Sequence, residues 1–328
     1  MAYTGEVLRR ARERLAQAKA DREAENAQHL RQAYRQVPRL AEIDRALRLT
    51  MAKAAQSVFQ EGGDPQAAFD RVRKENQALQ REREWLIEDN FDEGFLDDTP
   101  ICTICGGTGY VGSQMCECLR ELCRQEQKKE LTVLTGAAQE SFGSFRLEYY
   151  SDQFDPNLMS SPRAIMSMTL QTCKRYAQSF TMKSGNLFLN GNPGLGKTFL
   201  SACIARTVAD NGYSVVYETA VHLFSCLEAA KFSGDPEAKR RGERYTACDL
   251  LIVDDLGSEM VTPFVQSALY TVINDRLLAA MPTVISSNLQ PKELSSRYSP
   301  AIASRLQGSY RLVTFVGQDV RLQRAREQ

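Results

Sequence analysis

A phosphate-binding pattern occupies eight consecutive positions in the second half of the chain. The pattern G-x-x-x-x-G-K-[ST] is formed by Gly191, Asn192, Pro193, Gly194, Leu195, Gly196, Lys197 and Thr198. Glycines let backbone N–H groups converge on phosphate oxygens, and a helix beginning here adds the positive end of its dipole. Lys197 can reach the β- and γ-phosphates, and Thr198 offers a hydroxyl to Mg²⁺. The sequence therefore predicts a site for ATP and Mg²⁺.

Two adjacent carboxylates follow a buried-type strand in LLIVDDLGSE, residues 250–259. Asp254, at the end of the strand, would hold the magnesium ion through water, and Asp255 stands where a carboxylate can orient the attacking water. A purely structural pair of aspartates is the alternative. Because Asp255 is one methylene shorter than the Glu found there in many ATPases, we expect slow, conditional hydrolysis.

Five of the nine cysteines lie close together, and the first four have the spacing C-x₂-C-x₁₀-C-x-C. They are Cys102, Cys105, Cys116 and Cys118. A glycine-rich turn that points two thiolates at one ion, completed by a second pair, is typical of a structural Cys₄ zinc knuckle. Cys123 could replace Cys118 as a ligand, and an iron–sulfur cluster is the minor alternative to zinc.

The composition excludes attraction of nucleic acid by an overall positive charge, because Lys+Arg 41 balance Asp+Glu 41. Any contact with DNA must therefore come from a local patch. The N-terminus is charged from its first residues, and no apolar run approaches the length of a membrane span. We expect a cytoplasmic protein that does not cross a membrane.

Three regions are predicted to position these groups. Residues 1–98 favour helix: a stripe with Leu40 and Ile43 follows Pro38, and EGGDP (61–65) separates it from a second amphipathic helix. Residues 99–128 form the zinc module. In residues 129–328, short strand-like runs alternate with helical segments, which indicates an α/β fold with a parallel sheet. The two helices flanking the break are expected to form a hairpin or short coiled coil.

Several segments, taken in order over roughly residues 140–322, carry a resemblance to a known family. They are FGSFRLEYYS, NGNPGLGKTFLSACIA, LLIVDDLGSE, TVISSNLQPKEL and AIASRLQGSYRLVTFVGQDVR. The set resembles the AAA+ ATPases, and more narrowly the DnaC/DnaI-type helicase loaders and the related IstB transposition helpers. A zinc module between a helicase-binding region and the ATPase is also a feature of DnaI-type loaders.

The resemblance implies roles for three further residues. Asn288 matches the sensor 1 position, where a polar side chain contacts the γ-phosphate or the water. Arg305 matches the arginine finger, which in this family reaches into the nucleotide site of a neighbouring subunit, so hydrolysis would need self-association. Arg321 matches sensor 2, which acts on the γ-phosphate of its own subunit. For each arginine a surface ion pair is the alternative. Relatives often carry a second Arg four residues before the finger, where this chain has Ala301.

The implied function is ATP-dependent loading of the hexameric, DnaB-type replicative helicase onto single-stranded DNA. The helical and zinc regions would grip the helicase, and the core would bind DNA. An IstB-like transposition helper, or a nucleotide-gated adaptor with negligible hydrolysis, is the alternative.

The DNA patch is predicted in KFSGDPEAKRRGERY, residues 231–245. Its charges are Lys239, Arg240, Arg241 and Arg244, with Phe232 and Tyr245 as stacking faces. A solvated loop is the alternative for this segment. Two isolated histidines, His29 and His222, are interpreted as structural.

Overall fold

The structure, a computed structural model, describes residues 3, 5–61, 65–135 and 141–327. The chain divides into two compact units. One consists of Met1–Arg12 with Leu119–Gln328, and the other of Glu13–Cys118. The division into regions 1–98, 99–128 and 129–328 stays a prediction.

Long helices occupy most of the first ninety residues, as predicted. They are α1 (Gly5–Gln36), α2 (Pro38–Glu61) and α3 (Pro65–Asn90). Proline begins both α2 and α3, because its fixed φ suits the first turn and its missing N–H has no partner there. Leu40 and Ile43 of the predicted stripe are buried. Helices α2 and α3 pack against each other. Residues 62–64 of the predicted break lie outside the described residues, so the hairpin or short coiled coil stays a prediction.

A small hairpin follows, formed by β1 (Tyr110–Val111) and β2 (Gln114–Met115). The strands pair antiparallel, with Tyr110 opposite Met115, and Gly112 turns the chain with φ 60°. Such a two-residue turn needs positive φ, which glycine adopts at little cost. Helix α4 (Glu117–Thr135) begins directly after the hairpin.

The remainder is an α/β core, as the alternating pattern predicted. Its strands are β3 (Asn186–Asn190), β4 (Val215–Thr219), β5 (Leu250–Leu256), β6 (Thr283–Ser287) and β7 (Tyr310–Thr314). Its helices are α5 (Pro162–Gln178), α6 (Lys197–Asp210), α7 (Ala220–Phe232), α8 (Pro236–Ala247), α9 (Pro263–Leu278), α10 (Leu294–Arg297), α11 (Pro300–Ser309) and α12 (Val320–Glu327). All neighbouring strands are parallel, in the order β4-β5-β6-β3-β7.

Both faces of this sheet are covered. Leu187 and Leu189 of β3 pack in one hydrophobic cluster, and Phe188 between them packs in a second. Because side chains alternate across a strand, the two clusters lie on opposite faces of the sheet. The carboxyl ends of the strands are thereby held rigidly at one edge, where ligand sites of parallel sheets form.

Among the described helices, none is both long enough and apolar enough to cross a membrane.

Candidate nucleotide-binding site

The phosphate loop connects the end of β3 to the start of α6. Gly191, Gly194 and Gly196 all have positive φ, at 157°, 75° and 87°. A Cβ on Gly191 would lie 2.4 Å from the Phe315 carbonyl oxygen, and one on Gly194 would lie 1.9 Å from Asp319 Oδ1. A side chain at Gly191 would clash with backbone, and one at Gly194 would be strained by its positive φ, so the loop keeps a bare backbone at a helix N-terminus. That is the arrangement that binds phosphate.

Lys197 is buried at the first turn of α6 and points back across the loop. Its Nζ donates to the carbonyl oxygens of Gly191 at 2.6 Å and Asn192 at 2.8 Å. Burial lowers the pKa of Lys197, while the carboxylates of Asp255 and Asp254 act in the opposite direction. The backbone carbonyls of the phosphate loop therefore hold the Lys197 ammonium group in place.

The aspartate pair sits on a β-bulge at the end of β5. Val253 pairs with Ile285 and Leu256 pairs with Ser287, so Asp254 and Asp255 together face one residue of β6, Ser286. The Ser286 hydroxyl donates to Asp254 Oδ1, and the Asp255 N–H donates to Ser286 Oγ at 2.9 Å. Asp255 has a left-handed backbone with φ 58°. The bulge turns both carboxylates to the same edge, as bulges beside active sites often do.

A cleft of about 480 Å³ opens over these groups. Most of the predicted nucleotide residues line it: Pro193, Gly194, Gly196, Lys197, Thr198, Asp254, Asp255, Asn288 and Arg321. The other three predicted loop residues, Gly191, Asn192 and Leu195, are in the loop but outside the lining. The cleft therefore joins the phosphate loop to two carboxylates and to the Arg321 guanidinium, which suits a magnesium-bound triphosphate.

Arg321 is one of the cations that line the cleft, and hydrogen bonds join its segment to the phosphate loop. The Val320 N–H donates to the Gly194 carbonyl at 3.0 Å, and Asp319 Oδ1 accepts the Arg321 N–H at 2.8 Å. Within the described part of the chain, the Arg321 guanidinium has no hydrogen-bond or ion-pair partner. An ionised donor without a partner, facing a phosphate loop, is positioned to bind anionic oxygen.

Arg305 lies elsewhere, on α11, and is not among the residues that line the cleft. Its guanidinium stacks 4.3 Å from the Tyr270 ring centroid and donates to the Tyr270 hydroxyl at 2.6 Å and Asn274 Oδ1 at 3.1 Å. These contacts from α9 fix the orientation of the side chain. Arg305 is therefore held outside the cleft.

One wall of the cleft was not predicted as part of the site. Phe145, Arg146, Tyr149 and Tyr150 line it. The Tyr150 hydroxyl donates to the Leu195 carbonyl at 3.0 Å, and the Phe145 ring stacks on Tyr150 with centroids 5.7 Å apart. Burial raises the pKa of Tyr150, so its hydroxyl stays protonated and able to donate. The available signal was the density of aromatic residues in FGSFRLEYYS.

Comparison with known families agrees with this geometry. The sequence model of the family described as IstB-like ATP binding protein matches residues 151–327, more than half of the chain. The chain belongs to this IstB-like family. The match includes the phosphate loop, the aspartate pair and both predicted arginines.

Individual relatives of this IstB-like chain include two replicative helicase loaders. DnaI of Bacillus subtilis (strain 168) is 28% identical over 189 residues, which are 56% of this chain and 56% of DnaI. DnaC of Buchnera aphidicola subsp. Acyrthosiphon pisum (strain APS) is 25% identical over 139 residues, 42% of this chain and 56% of DnaC. The chain thus spans little more than half the length of these relatives. The crystal structure of a DnaC helicase loader has a TM-score of 0.45 at 18% identity, covering 53% of this chain and 98% of that one.

The cysteine cluster precedes the segment matched by the IstB-like family. The sulfur atoms of Cys102, Cys105, Cys116 and Cys118 all lie within 4.8 Å of one another. Cys102 and Cys116 are 3.8 Å apart and Cys105 and Cys118 3.4 Å apart; sulfurs bound tetrahedrally at about 2.3 Å from one zinc ion are about 3.8 Å apart. The four thiols therefore fit one zinc ion, while a multi-iron cluster would hold them farther apart. Cys123 is outside this group.

The thiols of the cluster differ in protonation: burial and the neighbouring thiols raise the pKa of Cys118, whereas the pKa of Cys105 is lowered. Burial raises the pKa of the Cys105 thiol, but the Gly109 N–H and the neighbouring thiols outweigh burial and lower that pKa to about 6. Thiolate is the form that binds metal.

Two members of the predicted DNA patch are not available to DNA. Residues 236–247 form α8, not a loop, and Tyr245 is fully buried on its inner face. Arg244 is mostly buried and paired with Glu218 and Glu130. Lys239, Arg240 and Arg241 are exposed, as is Phe232. The patch is therefore corrected to these four residues.

The two histidines have structural contacts. The His29 ring stacks on Phe95 with centroids 4.6 Å apart, and His222 pairs with Glu218.

Proposed function

We propose that the protein is an ATPase that loads a hexameric, DnaB-type replicative helicase onto single-stranded DNA. The observation that carries the proposal is the cleft, which brings the phosphate loop, Asp254, Asp255, Asn288 and Arg321 together while Arg305 lies outside it. Two relatives that match over about half their length are replicative helicase loaders, which supports helicase loading as the use of this site.

ATP would be bound by the loop backbone and Lys197. Thr198 and Asp254 would hold Mg²⁺, which supplies positive charge to the triphosphate oxygens when bound. Asp255 would orient the attacking water and accept its proton, and Asn288 would hold that water or the γ-phosphate. Ser286 keeps Asp254 and Asp255 in register through its two hydrogen bonds. Arg321 would report the presence of the γ-phosphate.

Hydrolysis would be completed by Arg305 from a neighbouring copy of the chain. An arginine that touches the transferring phosphate neutralises charge that develops in the transition state. In each copy Arg305 is held by Tyr270 and Asn274, away from its own cleft. Self-association would therefore switch hydrolysis on.

The helicase would be held by residues 1–98 together with the zinc module, residues 99–128. The chain's single tryptophan, Trp85, lies on α3 and is 60% exposed. Exposed tryptophan is unfavourable in a free monomer and is enriched at the centre of protein interfaces. We therefore place Trp85 in the helicase contact.

The function is tested by loading the helicase onto circular single-stranded DNA. A closed ring cannot thread onto a closed circle, so helicase bound to the circle reports ring opening or assembly by the loader. We expect loading to require both this protein and ATP. We also expect Trp85→Ala to weaken helicase binding about tenfold, because aromatic anchors dominate interface energies. Leu278→Ala, at another exposed apolar residue on the core, is the matched control. No loading by the wild-type protein with ATP would reject the proposal.

The transposition helper is the alternative with specific support, because the matching family is described as IstB-like ATP binding protein. In that case the protein would deliver target DNA to a transposase and would leave the helicase free in solution. Adding a transposase of the kind that IstB-like proteins serve to the loading assay distinguishes the two clients. The adaptor alternative predicts client binding with ATP and no measurable turnover.

Single-stranded DNA would bind at the corrected patch on α8 and the end of α7. Lys239, Arg240 and Arg241 supply charge, and Phe232, 66% exposed, supplies a stacking face. Phe232 is braced by Phe264, with ring centroids 5.7 Å apart. Basic side chains beside an exposed aromatic ring are the usual elements of a single-strand site.

Reversing the three charges with Lys239→Glu, Arg240→Glu and Arg241→Glu is expected to abolish most single-strand affinity at low salt. The slope of log K against log salt should become shallower by about two, because about 0.7 counterion is released per phosphate contact. Fluorescence anisotropy with a labelled oligonucleotide measures both quantities. Lys174→Glu, Lys183→Glu and Lys292→Glu, at exposed lysines elsewhere on the core, make the same change in net charge. Equal losses of single-strand affinity in the two triple variants would show that this patch is not the DNA site.

A further inference from the structure

Three side chains on the first turns of α7 and the end of β4 form a group that the proposed function does not use. The carboxylate of Glu218 pairs with His222 Nδ1, and His222 Nε2 lies 3.7 Å from Cys226 Sγ. Glu218 is 3% exposed, whereas the His222 side chain is 58% exposed and Cys226 is partly exposed. The group therefore has a buried acid at one end and a thiol that solvent reaches at the other.

The contacts fix the roles of the imidazole nitrogens. An ionised carboxylate only accepts hydrogen bonds, so Nδ1 of His222 carries the proton and donates it to Glu218. In neutral imidazole Nε2 is then the acceptor, and it faces the thiol. Arg244 donates to the other oxygen of Glu218 and holds that carboxylate in place. The Tyr245 hydroxyl is a further polar neighbour of Cys226.

This order of groups matches what activates a nucleophile in general: a thiol, a base within reach, and an acid that orients the base. We propose that Cys226 is a thiol-modification site that reacts with low-molecular-weight disulfides. His222 Nε2 takes the thiol proton, and the sulfur of Cys226 attacks one sulfur of the disulfide. A new S–S bond forms at Cys226, the S–S bond of the reagent breaks, and its electron pair leaves with the released thiolate.

The other cysteines provide internal controls. Cys123, Cys173, Cys203 and Cys248 are buried. Burial raises the pKa of Cys173 to about 12 and that of Cys123 to about 11, so both stay unreactive thiols. The four cysteines of the cluster are arranged to bind a metal. Measuring modification at each cysteine separately distinguishes their reaction from that of Cys226. The proposal does not depend on the function proposed above.

The test treats the full-length protein with Ellman's disulfide reagent, and separately with oxidised glutathione, at pH 7. Peptide mass spectrometry then reads modification at each cysteine over time. We expect Cys226 to react fastest among the cysteines outside the cluster. His222→Gln should slow its reaction at least about tenfold, because general-base help is lost. An ordinary thiol, with a pKa of about 8.5, is ionised at pH 9 without the help of a base. At that pH the rates of Cys226 modification in the wild type and in His222→Gln should therefore converge.

His29→Gln, at a histidine distant in sequence and stacked on Phe95, is the matched control and should leave the rate unchanged. Since His222 is mostly exposed, its replacement should leave the fold intact, which circular dichroism checks. If one of the buried cysteines reacts first, or if Cys226 reacts equally fast with and without His222 at pH 7, the proposal is wrong.

Discussion

Replacing Arg305 with alanine is expected to lower kcat for ATP hydrolysis about 10³-fold, the lower end of what an arginine finger contributes. The Kd for ATP should stay unchanged, because Arg305 is absent from the lining of its own subunit's cleft. Steady-state hydrolysis at saturating ATP, together with equilibrium binding of a fluorescent analogue, separates the two quantities. Arg311→Ala, at an exposed arginine on β7, is the matched control. A large rise in Kd with kcat intact would contradict the assignment.

Mixing two inactive variants tests whether the arginine acts between subunits. Arg305→Ala keeps an intact cleft, and Lys197→Ala keeps an intact finger. In an equal mixture with random head-to-tail contacts, about one quarter of interfaces would join a good cleft to a good finger. Recovery of about that share of wild-type turnover is expected. A mixture as inactive as either variant alone would show that Arg305 acts within its own subunit or not at all.

The Lys197→Ala variant should lose both nucleotide binding and turnover, with kcat/KM lowered about 10²- to 10³-fold, as when one preorganised donor is removed from a reacting anion. Lys197 is buried, and its ammonium group is held by the carbonyls of Gly191 and Asn192. Alanine removes the charge and leaves those carbonyls without this donor. Calorimetric titration with ATP and Mg²⁺ measures the loss of binding, and phosphate release measures the loss of turnover.

Two controls accompany this variant. Lys183→Ala removes an exposed lysine and should have no effect. Thermal unfolding shows whether the loss comes from unfolding: we expect the nucleotide-free Tm of Lys197→Ala to remain near that of the wild type, and the rise in Tm on adding ATP to disappear. Full ATP affinity in Lys197→Ala would overturn the assignment of the phosphate loop.

The features that could be predicted from the sequence are those set by local rules. Glycine spacing and a following helix are enough to identify the phosphate loop, and a strand ending in two aspartates is enough to identify the acidic edge. The Cys₄ cluster is likewise a short-range pattern that one hairpin closes. Asn288 and Arg321 needed the family resemblance, because nothing in their local sequence distinguishes them from other polar residues beyond a strand.

Contacts between distant parts of the chain could not be predicted in this way. Tyr150 reaches Leu195 across 45 positions, and Ser286 joins the aspartates from a different strand. The sequence predicts Arg244 as a DNA-binding charge because its partner, Glu218, lies 26 residues earlier and is not recognisable from the local pattern. For α8 a local signal did exist: Ala238, Gly242 and Tyr245 have the i, i+4, i+7 spacing of a buried helix face, and all three are buried.

The left-handed backbone of Asp255 explains why an aspartate stands where many ATPases have glutamate. Aspartate is among the few side chains that adopt this conformation readily, since its short carboxylate can interact with nearby backbone, and glutamate lacks that compensation. The backbone conformation at Asp255 thus favours the shorter acid, which extends less far over the phosphate site. We therefore expect the proposed hydrolysis to be slow while no client is bound, which suits a single timed step better than the continuous turnover of a motor.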